Sequence, residues 1–180
     1  MIKTQNQIFT DLKAIIESAL ATAEITGWLV AQNYNPTQGH WNQPSIIMHR
    51  VRTEQYGAVG QQYRKEEDKL VLDVVESKEV TLQIDAICPR DLTGTNQWEA
   101  ADIINFLRRY FSGPFGVAAL KEKGYALAEK IRVVEEPTFQ DEHDVMEYNP
   151  NLQIKLFYTD IQTQEVPALT AVEFKGIKGV

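Results

Sequence analysis

Between Lys78 and Cys88 the chain reads KEVTLQIDAIC, in which Val80, Leu82, Ile84, Ala86 and Cys88 alternate with Thr81, Gln83 and Asp85. A period of two sends one set of side chains to one side of an extended backbone, so the segment predicts a strand with one buried and one mostly wet face. Pro89 ends it, because proline has no N–H to give to a ladder. The period then changes: Ala100, Ile103, Ile104, Leu107 and Phe111 mark a single stripe of a helix. Its opening, NQWE, offers Asn96 as a cap with Glu99 returning a bond, a relative of the capping box. A half-buried strand feeding an amphipathic helix requires a layered fold in which helices cover a sheet.

The flanking segments extend that reading. Ile8, Leu12, Ile15, Ile16, Ala19 and Leu20 give one apolar stripe and predict a helix over about 5–24, with Gly27 as its stop. WLVAQNY (28–34) reads as a short strand, NPTQGHWNQP (35–44) as a loop dense in turn formers, and SIIMHRV (45–51) as a second strand. The polar stretch RTEQYGAVGQQYRKEEDK (52–69) reads as a projecting loop, longer than most inside a compact domain. LVLDVVES (70–77) leads into the strand at 78–88. After the central helix, SGP (112–114) joins a glycine stop to a proline suited to opening a short helix at about 115–123, closed by Gly124. YALAEKIRVVEEP (125–137) reads as a strand, EYNPNLQIKLFYTDI (147–161) as a long strand with Leu152, Ile154, Leu156 and Tyr158 on one face, and VPALTAVEF (166–174) as a weaker last strand. Elements segregated in this way predict a single α+β domain, with a mainly antiparallel sheet and its helices on one face. The other face must then be polar or find a partner.

Charge narrows the function classes. The net charge is −7, yet residues 1–134 are nearly balanced, and EEPTFQDEHDVME (135–147) holds six acids and no base. A chain without clustered Lys or Arg is poorly suited to gripping a phosphate backbone. One cysteine, Cys88, leaves no internal disulfide and no multi-cysteine zinc site. With no apolar run of membrane-spanning length and no secretory pattern at the start, a soluble protein made in the cytosol is expected.

No local motif carries covalent chemistry. PRDLTGTN (89–96) sets Arg90 and Asp91 at the end of a strand but lacks a glycine-rich phosphate fingerprint, and reads as a connection that caps a helix. Cys88 falls in register with Val80, Leu82 and Ile84, so it reads as core. His40 and His49 have no Ser, Cys or second His at motif spacing. In the acidic stretch, Glu135, Glu136, Asp141, Glu142, His143, Asp144 and Glu147 lack both the glycine of a calcium loop and the paired His or Cys of a zinc site, and read as a solvated acidic loop. A small metal-dependent hydrolase built on Asp141, His143 and Asp144, with Glu135 or Glu136 as a further ligand, is the enzymatic alternative. A host adaptor binding a peptide on the free sheet face is another. Tyr56, Gly57, Gly60, Tyr63 and Arg64 combine the residue types enriched at interface centres and are the candidate partner surface, with Phe174 in the C-terminal arm 166–180.

The order and character of these segments resemble the neck and tail terminator (tail-completion) proteins of bacteriophages. The resemblance rests on PSIIMHRV followed by the polar RTEQYGAVGQQYR, on KEVTLQIDAICP, on EAADIINFLRRYFSGPFGVAALKEKGYAL, and on IRVVEEPTFQDEHDVMEYNPNLQIKLFYTD, spanning roughly residues 44–174. It implies a structural virion protein at the neck, assembled in the host cytoplasm into a homo-oligomeric and commonly hexameric ring. Such a ring ends the tail tube and joins it to the head connector. The partners implied are other copies, the tail tube protein and, further out, the tail sheath and head connector. DNA would pass through without specific binding, and no membrane, cofactor, metal or catalytic residue is implied. Glu135, Glu136, Asp141, Glu142, Asp144 and Glu147 would then form an acidic lumen surface that lets the genome slide. A head-completion, connector or baseplate protein is the alternative within the virion.

Overall fold

The computed structural model describes residues 3–32, 43–66, 69–88, 98–128, 131–140 and 145–166. Among them are three helices, α1 (Gln5–Thr22), α2 (Ala100–Ser112) and α3 (Pro114–Glu122). Seven strands accompany them: β1 (Leu29–Gln32), β2 (Ser45–Gln55), β3 (Gly60–Glu66), β4 (Lys69–Ile87), β5 (Tyr125–Leu127), β6 (Arg132–Gln140) and β7 (Val145–Val166). All seven belong to one sheet with the order β1-β2-β4-β7-β5, in which β3 also pairs with β4 and β6 with β7. Only β1 and β2 run parallel; every other pair is antiparallel. The fold is the expected α+β sheet with helices packed against it.

Its axis is the pairing of β4 with β7, unbroken from Leu70↔Val166 to Asp85↔Asn151. Toward one end the two strands turn Val80, Leu82, Ile84, Leu152, Ile154 and Leu156 onto one side, each fully buried. α2 lies on that side with Ile103, Ile104, Leu107 and Phe111 wholly buried, the stripe that its spacing predicts. α1 adds Phe9, Leu12 and Ile16 to the same cluster. Burying a side chain of this size contributes roughly 1.5–3 kcal/mol, so this interdigitated layer is the main source of stability.

Local chemistry sets the helix ends. Thr4 caps α1, its hydroxyl accepting from the Gln7 N–H at 3.2 Å. The helix stops before Gly27: Glu24 takes φ +57°, and the N–H groups of Glu24 and Ile25 donate to Ala21 and Leu20. That is a Schellman closure with a glutamate in the position glycine usually fills, sealed by the buried Ile25. α2 is capped by Glu99 rather than Asn96. The Asp102 carboxylate accepts from the Glu99 N–H at 3.2 Å, so the helix begins one turn later than NQWE suggests. Gly113 ends α2 and Pro114 opens α3, as expected, and Gly124 takes φ +78° just after it.

Three expectations are corrected. The polar stretch 52–69 is mostly strand rather than loop: β2 continues to Gln55 and, after a break over 56–59, the chain runs on in the same direction as β3, which pairs with β4 from Gly60↔Val75 to Glu66↔Lys69. Backbone pairing holds the segment although its side chains bury nothing. The single strand expected over 125–137 is two, β5 and β6, both on the same edge of β7. The acidic loop over 135–147 is largely a hairpin, with Gln140 paired to Val145. The last strand expected over 166–174 lies outside the described residues beyond Val166.

Candidate assembly surface

β4 and β7 run on past the helices and, with β3 alongside, form a three-stranded ribbon. All of β3 is exposed, β4 is half-buried from Leu72 to Glu79, and β7 is exposed from Ile161 to Glu165. The strands alternate through unbroken register, so the ribbon has two chemically different sides. The side continuous with the helix-covered face carries the rows Tyr63·Leu72·Gln164 and Lys65·Leu70·Val166, with Val74 next to them. Here Tyr63 is 59% and Leu70 40% exposed, high for large apolar side chains.

The opposite side is tied into itself. Arg64 Nε meets Asp73 at 2.7 Å, the Thr163 hydroxyl donates to Asp73 at 2.7 Å, Arg64 pairs with Glu66 at 3.0 Å, and Lys69 pairs with Glu165 at 3.0 Å. The Thr163 and Arg64 hydrogen bonds hold the Asp73 carboxyl below its ordinary value. Exposed pairs of this kind add little stability. They do tie the charges of this side together around the buried Val71, with Ile161 40% exposed beside them, and leave the row of Tyr63, Leu70, Leu72 and Val74 open on the other side.

A polar junction fixes the ribbon to the helical layer. The Lys3 backbone N–H donates to Asp160 on β7 at 2.8 Å, and its ammonium donates to the Asp11 carboxylate at 3.4 Å and to the Lys123 carbonyl. Tyr125 donates its hydroxyl to Asp11 at 2.8 Å, Gln7 donates to the same carboxylate at 2.9 Å, and the Lys3 ammonium stands 3.9 Å from the Tyr125 ring centre. Lys78 completes the set, donating to Asp160 at 2.8 Å and pairing with Glu76 at 3.0 Å. Burial alone would raise the Asp11 carboxyl, but the Tyr125 and Gln7 hydrogen bonds and the Lys3 charge outweigh it and hold it low. Burial and the Asp11 carboxylate push the Tyr125 phenol far up, and the bonds to Asp160 and Glu76 push Lys78 up. One residue near the start of the chain thus links α1, the end of α3 and the root of the ribbon.

The acidic segment projects from the other end of β7. Glu135 is in register with Pro150, Glu136 with Asn149, and Glu147 with Thr138. Asp141, Glu142, His143 and Asp144 lie outside the described residues. A single strand of 22 residues therefore connects the two projections, a span of up to about 70 Å at strand rise.

The residues proposed from sequence as a partner surface are only partly brought together. Tyr63 and Arg64 lie on the ribbon but on opposite sides. Tyr56 turns to the side of Phe157, its ring 4.8 Å from that ring, and Gly57 takes φ +80° in the break between β2 and β3. Gly60 begins β3, and Phe174 lies outside the described residues. Leu70, Leu72 and Val74 went unremarked as surface, because Val71 and Val75 between them make 70–75 look like core. Asp11 had a readable signal, an acid inside the apolar stripe of α1.

Other reactive side chains serve packing or polar pairing. Cys88 packs against the core cluster, and His49 pairs with Asp85 at 3.0 Å, where Gln83 also donates at 2.8 Å. Among the described residues no three His, Cys, Asp or Glu side chains are grouped to hold a metal ion, and no helix is long and apolar enough to cross a membrane.

Comparison with known families places the chain among bacteriophage virion proteins of the gateway type, residues 7–168 matching the family described as E217 gateway protein gp29. The chain belongs to that family. No curated protein matches it.

Proposed function

We propose that this chain is a non-enzymatic ring subunit at the phage neck, ending the tail tube and joining it to the head connector. The observation that carries this reading is the ribbon: a rigidly rooted projection with an open apolar side, which a chain acting alone would have no reason to expose. Membership of a phage gateway family supports a place in the virion, and the resemblance to tail terminators supports the position at the tube's end. Copies of the chain, commonly six, dock through the ribbon. The tail tube protein and the head connector meet the two ends of the ring, and the sheath lies outside it. The hairpin with Glu135, Glu136 and Glu147, and the acids between its strands, turns toward the lumen, where its charge repels DNA and lets the genome pass unbound.

Electron microscopy of tails made with and without the protein tests this. Tails of uncontrolled length without heads are expected in its absence. Tails of normal length that merely lack heads would move the role to head completion, and unaltered particles would remove it from the neck.

A further inference from the structure

Gly116 and Leu120 are the buried residues of α3, and Gly116 lies so close to the Tyr110 carbonyl that no side chain fits between them. The neighbours of that glycine are turned out: Phe115 is 80% exposed and Val117 44%. Among the described residues no other large apolar side chain is as exposed as Phe115. Arg108 and Arg109 near the end of α2 and Lys121 in the last turn of α3 are exposed as well, and among the described residues no carboxylate pairs with any of them. We propose that this α2–α3 corner of one copy, with Phe115 at its centre, seats on the row of Tyr63, Leu70 and Leu72 of the next copy's ribbon. This inference rests on the ring reading above and names the surface that the ribbon meets.

A ring of identical subunits needs two unlike surfaces on each copy, one meeting the other head to tail. The described residues offer such a pair. Their exposed large apolar side chains gather on the ribbon and the break that leads into it, with Tyr56, Val59, Tyr63, Leu70 and Ile161, and at this corner, with Phe115 and Val117. Only Leu29 and Val51 among them stand elsewhere. Within one subunit the two surfaces do not meet: the ribbon is fixed by its pairing and α3 by its packing, and Tyr63, Leu70 and Phe115 stay exposed there. A second copy supplies what each lacks.

Charge agrees with the pairing. Residues 60–75 and 161–166, the bounds of the three-stranded ribbon, hold five acids and three bases, a balance of −2. Residues 108–123 hold four bases and one acid, a balance of +3. Opposite signs on the two surfaces steer the encounter and disfavour ribbon against ribbon or corner against corner. Arginine also stacks on aromatic rings, which suits Arg108 and Arg109 to a surface centred on Tyr63. An aromatic side chain buries on the order of 150–250 Å², so Phe115 and Tyr63 are the anchors of the contact rather than its whole area, which for a stable pair is about 800 Å² per partner. In a closed ring every subunit is held by two such contacts, so each can be weak alone.

The test uses phage particles assembled with full-length protein carrying Cys88→Ser, Leu70→Cys and Phe115→Cys, treated with a short bismaleimide. Multimers of this chain on a denaturing gel are expected, on the order of tenfold above either single-cysteine control, since docking raises the thiols' effective concentration. A product confined to one chain, a product joining this chain only to a different virion protein, or no product at all would overturn the proposal. Should the triple variant not assemble, Phe115→Asp and Phe115→Leu replace it. Both isolated variants are expected to melt with the wild type, because the position is exposed, while rings are lost with aspartate and kept with leucine. Normal rings with Phe115→Asp would contradict the contact. Wild-type rings seen by microscopy without cross-linking of the cysteine variant sink this contact alone; absence of any ring from wild-type particles sinks both this contact and the ring reading.

Discussion

Asp11 occupies a position where the stripe of α1 would otherwise place an apolar residue, and it is 8% exposed. Its carboxylate receives Tyr125, Gln7 and Lys3. Removing the charge leaves buried donors unpaired, so Asp11→Asn is expected to cost about 1–3 kcal/mol in denaturant unfolding. The pH dependence has a definite sign. Because the folded carboxyl is held below its ordinary value, Asp11 contributes stability above the unfolded carboxylate pKa, lost as pH falls through the lowered folded value. Lys78 is raised, so its contribution is complete below the ordinary lysine pKa and is lost as pH rises through the folded value. Unfolding measured across pH should show the gap between wild type and Asp11→Asn narrowing in acid; a constant gap would mean the carboxylate charge is not what holds the junction. Residue type alone singled out Tyr63 and Arg64 as a candidate partner surface, and both are exposed, but which side of the ribbon each takes depends on pairing with β4 and could not be read locally.

α2 and α3 meet at Gly116, where a Cβ would fall against the Tyr110 carbonyl and 2.7 Å from the Phe111 Cα. Gly116→Ala therefore forces the helices apart and is expected to lower stability by about 1–3 kcal/mol, the usual cost of overpacking. Thermal melting checks this, and an unchanged or higher midpoint would show that the joint can yield. Leu82→Ala, in the wholly buried row of β4, is expected to cost about 2–5 kcal/mol by the same assay. These elements were legible because burial on one side imprints a period on the sequence. β4 over 78–88 and the stripe of α2 needed nothing else. The β3–β4 hairpin was illegible for the converse reason: with both sides of β3 wet, no alternation survives, and Gly57 and Gly60 read as loop. The acidic hairpin misled in the same way, since charge density suggested a loop whereas the β6–β7 pairing is a matter of backbone.

At the scale of the molecule, α+β with an antiparallel sheet followed from the order of elements, but the two projections did not. They arise because β4 and β7 are longer than the helices that cover them, a property of long-range register with no local signature. On the proposed ring reading, that excess length is what lets a subunit reach its neighbours while keeping a compact, helix-covered body. Assembly and stability should therefore separate by mutation. The most direct measurement is particle assembly by Tyr63→Asp with Leu70→Asp, two exposed positions on the open side of the ribbon. The isolated variant is expected to melt within a few degrees of wild type, a surface change costing about 0.5 kcal/mol, while infected cells yield heads and tails that fail to join. Normal numbers of joined, infectious particles from this variant would contradict the central claim that the ribbon is the surface through which the protein works.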